Sequence, residues 1–224
     1  MKNKVRASLM IITNCILMLA IVFGISGDNY WIEGWIFYLL FIVMIGIIAI
    51  PIYKDKALMK ERMKSPIQKE QQKADKIIML FFLPQLYGWL GVLPLEHRLG
   101  WTEKFPIDSL ITGIAGFILA TFVLYLTIEK NRHLYLVVKN KKDQKLVSDG
   151  IYGIVRHPMY MGIILMLFSG AFITSSRMGI CLALSSSITL YIRTVFEERF
   201  LEKNLKGYQE YQKKTRKRLI PFII

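Results

Sequence analysis

Residues 31–53 read WIEGWIFYLLFIVMIGIIAIPIY, a nearly uninterrupted apolar run. Its length fits the roughly 17–25 residues that a helix needs to cross the hydrocarbon core of a bilayer. Trp31, Trp35 and Tyr53 lie near its ends, where amphipathic rings favour the interface between lipid and water. We therefore predict a transmembrane helix over these residues.

Apolar runs of similar length occur on both sides of this one. Residues 8–25 are predicted as a span and not as a secretory signal peptide, because no small-x-small cleavage site stands out before Asp28 and a second apolar run follows. Further spans are predicted over residues 77–95 and 107–128.

The apolar stretch of residues 158–194 is too long for one crossing. The polar cluster Ser175-Ser176-Arg177 divides it, which predicts a tight helical hairpin. The predicted fold class is an all-α integral membrane protein with about six transmembrane helices and a cytoplasmic carboxyl-terminal region. The last two spans could instead form a re-entrant pair.

The charge distribution predicts the orientation of these helices. The 224 residues include 30 Lys+Arg and 16 Asp+Glu, for a net charge of +14, yet 54% of the residues are hydrophobic. In the six-helix arrangement 26 basic residues fall on one side, and only Arg98, Lys104 and Arg177 fall on the other. Because basic loops stay in the cytoplasm, we predict a multi-pass protein with both termini cytoplasmic.

Composition also argues against several classes of protein. A nucleic-acid-binding function is not predicted, because the basic residues are divided among separate loops and termini without a recognisable module; contact with membrane lipid headgroups is expected instead. Cys15 and Cys181 both lie in apolar runs, which excludes a disulfide scaffold. The spans hold almost no ionisable residues, which argues against a channel or transporter. No metal site is predicted, since the histidines lack ligand-like spacing.

The polar residues that could take part in binding or catalysis are concentrated in two blocks of the sequence. Residues 146–162 read LVSDGIYGIVRHPMYMG, where Ser148-Asp149-Gly150 is typical of a turn and Pro158 of the first turn of a helix. The opening of a helix presents backbone N–H groups that suit a carboxylate. A basic and aromatic membrane anchor is the simpler explanation for any one of these residues alone.

The second block, residues 193–201, reads RTVFEERFL. Arg193 and Glu197 are four residues apart and share one helix face. They could form only an exposed ion pair worth about 0.3–0.5 kcal/mol, or they could each hold part of a zwitterionic ligand. The spacing alone leaves both alternatives open.

Together the two blocks resemble the isoprenylcysteine carboxyl methyltransferase family, in particular its bacterial members. The family pattern has Leu-Val-x-x-Gly-x-Tyr, then Arg-His-Pro-x-Tyr-x-Gly, then Arg and Glu-Glu before a tail rich in Gly and Tyr. The resemblance covers about residues 50–224 and includes Glu61-Arg62-Met63 and Ala74-Asp75-Lys76. It implies a membrane enzyme, in a bacterial plasma membrane, that transfers the methyl group of S-adenosylmethionine to a carboxylate on a lipid-like, prenylcysteine-type substrate.

The resemblance also implies roles for individual residues. Arg193 would bind the substrate carboxylate and act as the catalytic residue. The residues expected to contact the cofactor are Lys139, Gln144, Lys145, Leu146, Val147, Tyr152, Arg156, His157, Pro158, Met159, Tyr160, Glu197 and Glu198. These fall in a methyltransferase core over residues 107–224, which follows an amino-terminal part over residues 1–106. No obligate protein partner is predicted.

The chemistry of the expected reaction is consistent with these residues. A carboxylic acid is ionised at pH 7, so this nucleophile needs no general base. Three alternatives remain at this point. An N-methyltransferase acting on an amino lipid would need a proton acceptor such as Glu198. A nicotinamide-dependent membrane reductase shares the helical architecture, and a non-enzymatic scaffold would keep the fold alone.

Overall fold

The computed structural model describes residues 2–69, 71–103, 105–131 and 146–219. Every regular element within these ranges is helical. The helices are α1 (Lys2–Ser26), α2 (Ile32–Lys54), α3 (Lys56–Arg62), α4 (Lys73–Arg98), α5 (Ile107–Lys130), α6 (Pro158–Ile173), α7 (Arg177–Asn204) and α8 (Tyr208–Lys214), with a 3-10 turn at Gly150–Gly153 before α6.

The all-helical membrane fold predicted from the sequence is confirmed. Helices α1, α2, α4, α5 and α7 are each long and apolar enough to cross a membrane. Helix α6 is also apolar but has 16 residues, which at about 1.5 Å per residue gives about 24 Å, less than the hydrocarbon core of about 30 Å. The described part of the chain thus holds five helices of spanning length and one shorter apolar helix.

Contacts at the two ends of the bundle show how the long helices run. At one end Ser8 of α1 meets Tyr53 of α2, with 2.8 Å between their hydroxyl oxygens. At the other end Arg98 of α4 donates to the carbonyl oxygen of Ile25 in α1. Helices α1, α4 and α6 therefore start at one end, which we call the site end, and α2, α5 and α7 finish there. Most of the basic residues belong to segments at this end. That this end faces the cytoplasm stays a prediction.

The predicted hairpin between the last two apolar segments is present. Ser176 caps α7 by accepting a hydrogen bond from the backbone N–H of Gly179. Its hydroxyl donates to the buried carboxylate of Glu96 on α4, which also accepts from the backbone N–H of Met178. This capping holds the start of α7 against the end of α4.

Helix α7 continues well beyond the predicted end of its apolar segment. It runs without a break to Asn204, so Arg193, Glu197 and Glu198 all lie on one rigid helix. The short helices α3 and α8 lie at the same end of the bundle. The fold thereby brings the start of α4, the start of α6 and the last turns of α7 together.

Close packing of α5 against α6 depends on glycine. A Cβ atom on Gly113 would lie 2.9 Å from the backbone nitrogen of Ile173 and 3.0 Å from the carbonyl oxygen of Ser169. Backbone atoms cannot move aside as a flexible side chain can, so this contact requires a glycine. Gly91 on α4, by contrast, has open space around it.

We predict that Gly113→Ala destabilises the protein, because the two helix backbones must separate to admit the methyl group. The cost expected for such overpacking is about 1–3 kcal/mol. Gly91→Ala is the matched control and should be neutral or slightly stabilising, since alanine favours a helix over glycine by about 1 kcal/mol. Thermal unfolding in a neutral detergent measures both. Equal melting temperatures for the two variants would contradict the close α5–α6 contact.

Candidate active site

A buried carboxylate organises the point where α6 meets α7. The Glu198 side chain is 3% exposed, and its Oε1 accepts from Arg156 Nε at 2.6 Å. His157 Nε2 lies 3.1 Å from the same oxygen. Arg218 Nη2 lies 2.8 Å from Oε2. Glu198 is thus held by three basic side chains, one of them from beyond α8.

Arg156 fastens the carboxyl-terminal segment to this cluster. Its Nη1 donates to the carbonyl oxygens of Thr215 and Arg216 at 2.8 and 2.7 Å. The backbone N–H groups of Arg156 and His157 donate to the carbonyl oxygens of Lys217 and Arg218, each at 2.9 Å. Segment 215–218 therefore occupies the N–H groups just before α6, where we expected a ligand carboxylate.

These contacts bear on two of the expected cofactor ligands. The donors of Arg156 and both oxygens of Glu198 are directed at partners within the protein. Their geometry is that of a structural ion cluster, and direct contact of either residue with a cofactor stays a prediction. Arg218, which completes the cluster, had no role in the sequence-based expectation.

A second ion pair lies beside the first. Arg193 Nε donates to Asp75 Oδ1 at 2.8 Å, and Arg193 Nη2 lies 3.4 Å from Asp75 Oδ2. Asp75 also accepts from Gln71 Nε2 at 2.7 Å. All three side chains are buried. The Arg193 guanidinium, expected to bind a substrate carboxylate, thus already binds a carboxylate of α4.

Glu197 lies between these two clusters. The hydroxyl of Tyr160 donates to Glu197 Oε2 at 2.7 Å, and His157 Nδ1 lies 3.8 Å from the same oxygen. The guanidinium of Arg193 lies over the Tyr160 ring, 5.4 Å from its centroid. The Glu197 side chain is 25% exposed, whereas the side chains of Glu198 and Asp75 are each 3% exposed. Of these three carboxylates, Glu197 is therefore the one that a ligand can reach from outside.

Aromatic residues form a wall beside this site. Tyr211 donates to the carbonyl oxygen of Tyr152 at 2.7 Å, and Asn131 donates to the Tyr152 hydroxyl at 3.0 Å. Burial raises the pKa of the Tyr152 phenol, although the Asn131 hydrogen bond opposes this. Tyr152 is therefore neutral at physiological pH. Leu146 and Val147 pack against the same cluster, next to Tyr152 as expected.

The remaining predicted cofactor residues divide into two groups. Pro158 is the first residue of α6 and is buried, and Met159 packs against the apolar cluster that contains Tyr160. Lys139, Gln144 and Lys145 lie outside the described residues. Within the described residues no group of His, Cys, Asp or Glu side chains could hold a metal ion.

Besides Arg218, Asp75 and Gln71 are the residues of this site that sequence reasoning missed. Asp75 was part of a matching tripeptide, but nothing in its local pattern linked it to Arg193, which follows 118 residues later. An acidic residue at the start of an apolar helix ordinarily indicates only a favourable interaction with the helix dipole. No local signal distinguishes that role from a buried ion pair.

One comparison with known proteins identifies a similar family. The model of the phospholipid methyltransferase family matches residues 109–207, which contain Tyr152, Tyr160, Arg193 and Glu197. The match covers less than half of the chain, and that part is similar to the methyltransferases of this family. The resemblance found in the sequence is confirmed at that level, and the match lends no support to the reductase alternative.

The other two comparisons add less. No curated protein matches this sequence. Among solved structures, the chain is similar to the eukaryotic intramembrane Ras methyltransferase, an isoprenylcysteine carboxyl methyltransferase. The identity is 18%, the alignment covers 98% of this chain and 86% of that chain, and the TM-score is 0.44.

We predict that Glu198→Gln strongly destabilises the protein, because three basic side chains lose the buried charge that they share. Removing one partner from a buried ion cluster typically costs about 3–5 kcal/mol. Glu202→Gln, which removes an exposed carboxylate one turn further along α7, is the control and should shift the melting temperature little. Similar melting temperatures for the two variants would show that the Glu198 cluster does not hold the C-terminal segment in place.

Proposed function

We propose that the protein transfers the methyl group of S-adenosylmethionine to a carboxylate on a lipid-like acceptor. The observation that supports this most directly is the placement of Arg193 beside Glu197 and Tyr160, where a buried cation adjoins a reachable anion. The site lies at the end of an apolar helical bundle, where an acceptor with an apolar chain could approach from the bilayer.

The residues present fit this cofactor. Bound S-adenosylmethionine supplies a methyl group activated by an adjoining sulfonium. Glu197 suits the ammonium of its amino-acid portion, because the carboxylate is anionic and partly exposed. The wall formed by Leu146, Val147 and Tyr152 suits a flat apolar ring such as adenine.

Arg193 suits the acceptor carboxylate. It already holds the Asp75 carboxylate through two N–H groups, so the geometry of its guanidinium is compatible with such a ligand. An acceptor carboxylate would replace Asp75 or bind beside it. The acceptor is ionised at pH 7, so no proton need be removed before its oxygen bonds to the methyl carbon. Positioning of the reactants can contribute as much as about 7–11 kcal/mol in favourable cases.

A second candidate is methyl transfer to an amine, and the charge of the site favours it. Asp75 neutralises Arg193, so the pair presents no net positive charge that would repel an ammonium group. Glu198 is poorly suited as the proton acceptor, because it is bound by Arg156 and Arg218. The matched family, described as phospholipid methyltransferase, is consistent with this candidate.

One assay distinguishes the two reactions. The purified protein is incubated with tritiated methyl donor and either N-acetyl-S-farnesylcysteine or vesicles of phosphatidylethanolamine. A methyl ester releases volatile methanol in mild base, whereas an N-methyl group does not. Base-labile product from the farnesylcysteine supports the carboxylate proposal, and base-stable lipid product supports the amine. Calorimetric binding of the donor, with a nicotinamide dinucleotide as control, tests the cofactor independently; failure to bind the donor would overturn both candidates.

We predict that Glu197→Gln weakens binding of S-adenosylmethionine at least tenfold, because the neutral amide loses its attraction for the ammonium group. The side chain keeps its shape, so the hydrogen bond from Tyr160 can remain. Glu202→Gln is again the matched control on the same helix and should bind as the wild type does. Unchanged affinity in Glu197→Gln, measured by calorimetry, would remove Glu197 from the cofactor site.

Asp75→Asn separates the two acceptor chemistries. If the acceptor is a carboxylate, this variant releases Arg193 from an internal competitor, and KM for the carboxylate should fall severalfold. If the acceptor is an amine, the variant removes negative charge, and transfer should decrease. The double variant Asp75→Asn/Arg193→Gln removes both charges of the pair, so it should fold and bind cofactor. It should transfer the methyl group to a carboxylate at least 100-fold more slowly. Normal transfer by the double variant would exclude Arg193 as the carboxylate ligand.

A further inference from the structure

Arg62 carries buried N–H groups without a partner. It is the last residue of α3, which is capped at its start by Asp55, whose Oδ1 accepts from the backbone N–H groups of Ala57 and Leu58 at 2.8 and 3.1 Å. The Nε and Nη2 atoms of Arg62 are buried and make no hydrogen bond to any described residue. Buried guanidinium donors in folded proteins almost always have acceptors, so this pattern indicates a ligand that accepts hydrogen bonds.

The preceding residue, Glu61, does not accept a hydrogen bond from Arg62 Nε or Nη2. Glu61 is buried, and its carboxylate pairs with Lys64 at 2.6 Å. Burial lowers the pKa of Arg62, and the charge of the adjoining Glu61 carboxylate partly opposes this effect. Arg62 ends α3, which lies at the same end of the bundle as the proposed cofactor site.

Arg62 also borders an apolar cavity of about 220 Å³ at the site end of α1, α2 and α3. Most of the lining residues are apolar, and the polar ones are Asn14, Tyr53 and Arg62. Two of the polar ones have partners within the helices, since Asn14 donates to the Met10 carbonyl and Tyr53 shares a hydrogen bond with Ser8. Arg62 is thus the one charged group among the lining residues.

We infer that Arg62 binds the acidic group of the methyl acceptor on the acceptor's way to the site of transfer. The acceptor is an amphiphile whose apolar chain lies in the cavity between α1, α2 and α3. Charge complementarity selects this occupant. A guanidinium matches a carboxylate or phosphate with two parallel hydrogen bonds, and an apolar cavity beside it fits a hydrocarbon chain. This inference rests on the proposed methyltransferase function. It adds a route for the substrate and a second recognition point. The sequence analysis gave Arg62 no such role.

Binding of simple amphiphiles tests the site without turnover. The full-length protein in a neutral maltoside is titrated by equilibrium dialysis with radiolabelled dodecyl phosphate and dodecanoate, and with dodecyltrimethylammonium as the cationic control. We expect saturable binding of the two anions and none of the cation. Arg62→Gln should lose at least tenfold in affinity, and Arg62→Lys should recover part of it. Lys60→Gln, which removes an exposed cation from the same short helix, should bind within twofold of the wild type.

A transfer assay separates an acceptor site from a site for a resident lipid. With whichever acceptor is methylated, Arg62→Gln should raise KM at least tenfold and leave kcat within threefold. Unchanged KM together with lost dodecyl phosphate binding would identify a resident lipid and overturn the inference. Wild-type binding of the anions by Arg62→Gln would overturn it as well. Binding of S-adenosylmethionine by the variant verifies that it is folded, and failure of the wild type to bind this donor would overturn the proposed function and not the anion site.

Discussion

The buried carboxylate of Glu198 is the constraint on which the rest of the site depends. Arg156 and His157, at the entrance to α6, and Arg218 of the C-terminal segment all bind it. A lone charge in this position would be unstable, since burial without a partner costs several kcal/mol. The three basic groups must therefore assemble around it, and their assembly fixes the position of α6 relative to α7.

This arrangement determines which neighbouring groups remain available to a ligand. Glu197 adjoins Glu198 on α7 but projects to the other side, where Tyr160 and the solvent reach it. Two adjacent carboxylates thereby take different roles: one is saturated by the protein, and the other keeps an exposed surface. Under the proposed function, one turn of helix would therefore hold both a structural carboxylate and a cofactor-binding one.

The Asp75–Arg193 pair leaves this part of the site with little net charge. An arginine alone would select a carboxylate, whereas an arginine paired with an aspartate presents little net charge. The same cluster is therefore compatible with two acceptors of opposite charge. Arg62, at the nearby cavity between α1, α2 and α3, adds a cation that an acidic amphiphile could use. In our proposals the acceptor would therefore meet two arginines, Arg62 at the cavity and Arg193 at the site of methyl transfer.

Much of this protein could be predicted from local features of the sequence. Apolar runs of spanning length determined the long helices, and the Ser175-Ser176-Arg177 interruption placed the hairpin. The Arg-His-Pro-x-Tyr and Glu-Glu motifs carried the resemblance to a methyltransferase family. Each motif could be recognised in the sequence because its residues are close together along the chain. The apolar run ended near residue 194 but helix α7 continues to Asn204, because polarity marks the edge of the membrane and not the end of a helix.

Tertiary structure alone decided which of these groups meet. Asp75 and Arg193 lie on different helices, and segment 215–218 bonds to residues just before α6. The separation of Glu197 from Glu198 in exposure also depends on neighbours contributed by distant segments. The physical reason is that helix formation follows from nearby residues and the bilayer, whereas the pairing of buried charges depends on how whole helices pack. Sequence periodicity records the first and carries no signal of the second.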